Sequence, residues 1–121
     1  MARIMVVDDE PSVRKLVSRL LESLGHDVVE AQDGAEALAR AGDAPVDMVL
    51  LDIDMPGIDG LETLRRLRRA APDTIVVMVS GIQDEPRAVR ALEDGARDFI
   101  RKPFDLARLK EIVDHQLALA A

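Results

Sequence analysis

Apolar residues cluster in five short runs along the chain: Ile4 to Val7, Val28 to Ala31, Val46 to Leu51, Ile75 to Val79 and Phe99 to Ile100. Three of them are continuous and rich in Val and Ile, the signature of strands covered on both faces. Between the runs the spacing turns helical. Val13, Leu16, Val17, Leu20, Leu21 and Leu24 recur at the three-and-four interval of one helix face, and Gly25 supplies a stop. Leu61, Leu64 and Leu67 mark a second such stretch, Ala88, Val89 and Leu92 a weaker one, and Leu106, Leu109, Ile112, Val113 and Leu117 the last. A short Ala-rich segment, Ala35 to Ala41, follows Asp33-Gly34. Strand and helix therefore alternate five times, which predicts a parallel sheet with helices on both faces and a single α/β domain over residues 1–121.

Composition narrows the class. A 48% hydrophobic content over 121 residues is enough for a core without metal or disulfide support, and the absence of cysteine removes thiolate chemistry. The N-terminus enters its first apolar run at once, too short for a signal peptide or membrane span, so the chain reads as soluble and cytoplasmic, with no membrane partner. Sixteen basic against 23 acidic residues give a net charge of −7, which argues against direct nucleic-acid binding. Phe99 and Phe104 are the only aromatic residues, too few for a base-stacking platform.

The chemistry sits where the strands end. In an open α/β sheet, ligands bind beyond the carboxyl ends of the strands. Asp8 and Asp9 follow the first run, Asp52 the third, Ser80 the fourth and Lys102 the fifth. Each has an ordinary local role available: the paired aspartates could cap the helix that Pro11 opens, Asp52 and Ser80 could also cap, and Lys102 could be a solvated end. Separate caps do not call for acids, a hydroxyl and an amine on one sheet edge. Three carboxylates in one pocket call for a cation, and hard oxygen donors suit Mg²⁺. A carboxylate there can take a phosphoryl group as an acyl phosphate, while the amine and hydroxyl stabilise the transferred oxygens. Asp52, at the end of the central run, is the natural nucleophile, and Asp8 and Asp9 are metal-site acids.

"VVDDEP", "LLDIDMPGIDG", "VMVSG" and "DFIRKPF", in this order and spacing, resemble the receiver domains of response regulators in two-component signalling, over essentially the whole chain. The resemblance implies a flavodoxin-like (βα)5 doubly wound sheet of strand order 2-1-3-4-5 and a cis Lys102-Pro103 bond. It implies Asp52 as phospho-acceptor, with Asp9, Asp52 and the carbonyl of Asp54 on Mg²⁺ and Asp8 acting mostly through water. Ser80 takes the switch-hydroxyl role, Phe99 the switch-aromatic role, and Lys102 pairs with the phosphoryl group. Ser80 stands where threonine is commoner, and Phe99 lacks the hydroxyl of the tyrosine in many relatives. Pro56, Gly57 and Gly60 read as a tight loop beside Asp52.

The implied donor is a sensor histidine kinase or a histidine phosphotransfer protein. Neither His26 nor His115 occupies the place of a phosphorelay histidine. The implied output is a change in the surface of the fourth helix, fifth strand and fifth helix (roughly Glu85 to Leu119), acting on a downstream partner or domain. No effector domain follows the last helix, which fits a single-domain regulator or a receiver taken from a longer protein. Two other classes fit these residues less well. "DIDMP" resembles the nucleophile motif of haloacid-dehalogenase-type phosphatases, but lies on the third strand rather than the first. A purely structural module would not need the intact acid, hydroxyl and amine set. Finally, Ile82 and Asp54 flank the path of a hydrolytic water: Ile82 would exclude water, whereas Asp54 could orient it. The greater weight given to Ile82 predicts a moderately long-lived phosphorylated form.

Overall fold

Val/Ile runs and amphipathic stretches resolve, in a computed structural model describing residues 1–55, 57–81 and 85–120, into a strict alternation. The elements are β1 (Arg3–Val7), α1 (Pro11–Ser23), β2 (Asp27–Ala31), α2 (Gly34–Asp43), β3 (Met48–Asp52), α3 (Gly60–Ala70), β4 (Ile75–Ser80), α4 (Glu85–Glu93), β5 (Asp98–Arg101) and α5 (Leu106–Ala120). All strand pairings are parallel, in the order β2-β1-β3-β4-β5, the doubly wound flavodoxin-like arrangement that the family resemblance implies. The Lys102-Pro103 bond is cis, also as predicted.

The period-two alternation of the strands sorts the core into two halves. Ile4, Val6, Leu50, Val77 and Val79 pack with Val17 and Leu21 of α1 and Leu109, Ile112 and Val113 of α5. Their neighbours Met5, Val7, Val49, Leu51, Val76 and Met78 pack with Ala37 of α2, Leu64 and Leu67 of α3 and Ala91 of α4. β3 and β4, covered on both faces, are buried at every residue, and the edge strands β2 and β5 are only partly so. That is why the central runs read as unbroken Val, Ile, Leu and Met.

Several local readings change. The N-cap of α1 is Glu10, whose side chain makes no capping bond; neither Asp8 nor Asp9 caps the helix. Pro11 opens the helix without an N–H to be capped, and the Asp8 carboxylate instead accepts from the Glu10 amide at 2.9 Å. Asp33, read only as turn, caps α2 through the Glu36 amide at 2.8 Å, and Asp59 does the same for α3 at Glu62. β3 begins at Met48 rather than Val46, because Asp47 turns aside to accept from the Arg3 amide. Leu16 in α1, Leu106 in α5, and Val89 and Leu92 in α4 are exposed, although each belongs to a helical apolar pattern. In α4 the buried contact is made by Ala88 and Ala91, small enough to seat the helix close against the sheet.

α3 is held against the end of β3 by a close backbone approach at Gly60. A Cβ there would stand 2.5 Å from the Ile53 Cα and 2.7 Å from the Asp52 carbonyl oxygen, backbone atoms that cannot swing away. Gly60→Ala should therefore destabilise the fold by about 2–4 kcal/mol. Gly42, inside α2 with open space around it, should behave oppositely, Gly42→Ala stabilising by about 0.5 kcal/mol. Urea denaturation midpoints of both variants check the contrast; equal midpoints would remove the close approach as a constraint.

Candidate functional site

Parallel register brings the strand ends level. Val7 is the partner of Leu51, and Asp52 the partner of Val79, so the residues that follow β1 and end β3 and β4 arrive side by side. The Lys102 amide donates to the Ser80 carbonyl at 2.7 Å, setting the β5 end against the β4 end. Three carboxylates converge here: Asp8, Asp9 and Asp52 each offer an oxygen, all within 4.8 Å of one another. Asp8 and Asp52 are 4% and 3% exposed, and Asp9 is exposed.

Each buried carboxylate is held at both oxygens. Asp8 accepts from the Glu10 amide through Oδ1 and from Lys102 Nζ through Oδ2 at 3.1 Å. Asp52 accepts from the Asp54 amide at 3.1 Å and from the same ammonium at 3.2 Å. Burial pushes the Asp52 carboxyl above its ordinary value; the Asp8 charge adds to this, while the Asp54 N–H and the Lys102 ammonium oppose it. Burial acts on Lys102 in the opposite sense, lowering it, but the Asp52 and Asp8 charges outweigh burial and the ammonium is held above its usual range. One ammonium does not balance three carboxylates. The donor set, all hard oxygen, fits Mg²⁺ at this edge.

Ser80 is fully buried and its hydroxyl donates to the Gly81 carbonyl at 2.8 Å. Phe99 is the β5 partner of Met78 and packs in the same half of the core, on the face that Ser80 shares by strand alternation. Its ring lies 5.8 Å below the Arg101 guanidinium. The structure thus brings Asp8, Asp9, Asp52 and Lys102 into one cluster and leaves the Ser80 hydroxyl bonded to the carbonyl of the residue that follows it. Asp54 follows Asp52 as its amide partner, but its carboxylate is paired with Arg87 of α4. Ile82 and Pro56 lie outside the described residues.

Two participants escape the sequence reading. Arg14 of α1 donates to the Asp8 carbonyl at 2.8 Å and to Glu30 of β2 at 3.0 Å, tying the helix to the site. Arg87 grips both Asp54 and the Ile53 carbonyl. Only the pairing of Arg14 with an acid on the neighbouring strand could have been suspected, as one of many opposite-charge pairs.

A profile of the response regulator receiver domain matches residues 4–114. The receiver domain of NtrX from Brucella abortus superposes with a TM-score of 0.91 at 40% identity, over 95% of this chain and 98% of that one. Vibrio cholerae chemotaxis protein CheY4 gives 0.90 at 31% identity, again over 95% and 98%. The protein-glutamate methylesterase/protein-glutamine glutaminase 2 of Caulobacter vibrioides is 45% identical over 104 residues, which is 84% of this chain and 30% of that protein. The transcriptional regulatory protein ResD of Bacillus subtilis is 39% identical over 102 residues, 84% of this chain and 42% of that protein. The chain spans less than half the length of either curated relative.

The unbalanced carboxylates have a thermodynamic consequence. Replacing Asp52 by Asn removes one buried charge beside Asp8 while Lys102 keeps its Asp8 partner. Asp52→Asn should raise stability in metal-free buffer by about 1 kcal/mol, some 3–5 °C in Tm for a domain of this size. Added Mg²⁺ should stabilise the parent more than the variant, narrowing the gap. A lower Tm for the variant without metal would show that the Lys102 bridge outweighs the burial of the charge.

Proposed function

The chain belongs to the response regulator receiver domain family, and we propose that it is a phosphorylation-operated switch whose residues 1–121 form one receiver domain with Asp52 as acceptor. The observation that carries this reading is the Asp52 carboxylate itself: buried at the end of β3, bracketed by Asp8, Asp9 and Lys102, and raised above its ordinary value by that burial. An oxygen of Asp52 attacks the phosphorus of a phosphohistidine on a sensor histidine kinase or histidine phosphotransfer protein. The P–N bond breaks, the acyl P–O bond forms, and the histidine nitrogen leaves with the bonding pair. Asp8, Asp9, Asp52 and the Asp54 carbonyl would hold Mg²⁺, whose charge there offsets that of the phosphoryl oxygens.

The remaining steps belong to this chain's own groups. Lys102, shared between Asp8 and Asp52, exchanges its Asp52 bond for a phosphoryl oxygen. Ser80 gives up the Gly81 carbonyl and donates to another phosphoryl oxygen, which opens space for Phe99 to turn inward from beneath Arg101. The surface of α4, β5 and α5 changes with it and passes the signal to a downstream protein or domain. No catalytic turnover is proposed beyond self-phosphorylation and slow loss of the phosphoryl group. No helix among the described residues is long and apolar enough to cross a membrane. With no cysteine and a charge of −7, a cytoplasmic setting and no direct nucleic-acid contact by this domain are the readings that fit.

Incubation with acetyl phosphate and Mg²⁺ should add one phosphoryl group, seen by intact mass, and Asp52→Asn should add none while keeping its circular dichroism spectrum. Uptake at another residue by the variant would overturn the assignment. Asp9, exposed, is free to turn its carboxylate to a metal, whereas Asp8 is already held at both oxygens. Asp9→Ala should therefore weaken Mg²⁺ binding more than Asp8→Ala in a calorimetric titration; equal losses would contradict the division of roles.

A further inference from the structure

Arg87 stands in the first turn of α4, far along the chain from the acceptor strand, yet its guanidinium reaches the two residues that follow Asp52. Nη1 pairs with the Asp54 carboxylate and Nη2 donates to the Ile53 carbonyl at 2.9 Å. That carbonyl also accepts from the Gly60 amide at 3.2 Å, and the Ile53 amide donates to Val79 of β4 at 2.9 Å. Arg87 thus closes a knot that joins the end of β3, the start of α3, β4 and α4. The other Asp54 oxygen lies over Gly81: a Cβ built there would stand 3.7 Å from it. The carboxylate therefore lies between α4 and the residue next to Ser80, and the Asp54 amide is the group that holds the acceptor.

Acyl phosphate is lost when water attacks phosphorus in line: the new O–P bond forms, the Asp52 O–P bond breaks, and inorganic phosphate leaves with the Asp52 carboxylate restored. A carboxylate free to accept a proton from that water assists the attack. One gripped at a single oxygen by a guanidinium that also holds the neighbouring carbonyl has that oxygen committed and the whole group fixed in position. Pairing also offsets the repulsion that a bare Asp54 would exert on the phosphoryl group.

Resting on the reading of Asp52 as acceptor, we propose that Arg87 is a positioning residue for phosphoryl-Asp52: by holding Asp54 and the Ile53 carbonyl, it keeps the Asp54 carboxylate off the attacking water and lengthens the life of the phosphorylated state. The lifetime is thereby tied to the seating of α4.

The test follows loss of phosphoryl from the full chain after loading with acetyl phosphate and removal of donor, in constant Mg²⁺. Arg87→Ala, followed from its loaded form, should lose phosphoryl about threefold to tenfold faster than the parent. Arg87→Lys, which restores charge but not the fork, should fall between. Asp54→Ala, which keeps its backbone carbonyl, and Arg87→Ala/Asp54→Ala should lose phosphoryl at the same rate, because the proposed effect of Arg87 on the attacking water runs through the Asp54 carboxylate. An Arg87→Ala rate equal to the parent's, or the same acceleration by Arg87→Ala with or without Asp54, overturns the proposal. Thermal denaturation of the parent, Arg87→Ala, Asp54→Ala and Arg87→Ala/Asp54→Ala reports on the grip without any phosphoryl group. Less than additive losses support it and additive losses overturn it, even if failure of the parent to take up phosphoryl were to sink the acceptor reading.

Discussion

Two carboxylates buried at adjacent strand ends, with a third beside them, face a single ammonium; the rest of the site is arranged around that imbalance. Like charges brought together out of water repel strongly, and only fixed donors or a cation make the arrangement tolerable. The fold supplies donors where it can: the Glu10 and Asp54 amides each take one oxygen, and Lys102 takes the other of each pair. Because the sheet is parallel and in register, these groups are delivered by backbone position rather than by long flexible side chains. What the fold leaves unmatched defines the chemistry it suits, a divalent cation and then a phosphoryl group.

The same economy of partners would give the proposed switch its two states. Lys102 is divided between two acids, and the Ser80 hydroxyl is bonded to the next carbonyl along its own chain. Neither bond is strong enough in isolation to hold against a dianionic group, since exchange among hydrogen-bond partners costs little when every group finds a new one. The proposed response therefore needs no stored strain. It needs partners that pair one way without phosphate and another way with it, and a core packed closely enough that Phe99 has two positions rather than a continuum.

Much of this was legible in the chain before any coordinates. Unbroken apolar runs at β3 and β4 announced strands covered on both sides, and the residues directly after them announced the site, because in an open α/β sheet ligands bind beyond the carboxyl ends of the strands; the strand order came from the family resemblance and not from the pattern. Helix faces were less legible. Ala88, Val89 and Leu92 carry the helical spacing in α4, yet of these only Ala88 is buried, together with Ala91, since periodicity ranks by hydrophobicity and packing ranks by fit. The pattern also left open a capping role for Asp8 and Asp9 at α1, because an aspartate before a helix is equally well used by a lysine that folding brings from the far end of the chain. The Asp54–Arg87 pair was invisible for a related reason: only the seating of α4 decides which carboxylate an arginine on it meets.

The bond from Lys102 to Asp8 spans 94 residues, from the first strand to the last. At ribosomal rates of about 5–20 residues per second, roughly 5–20 s separate the synthesis of one partner from the other. Until then the nascent acids lack the ammonium that bridges them. The pocket is complete only once β5 lies at the edge of the sheet. Chemical competence thus waits on β5, and a copy from which that edge has frayed has no complete site with which to enter the signalling traffic.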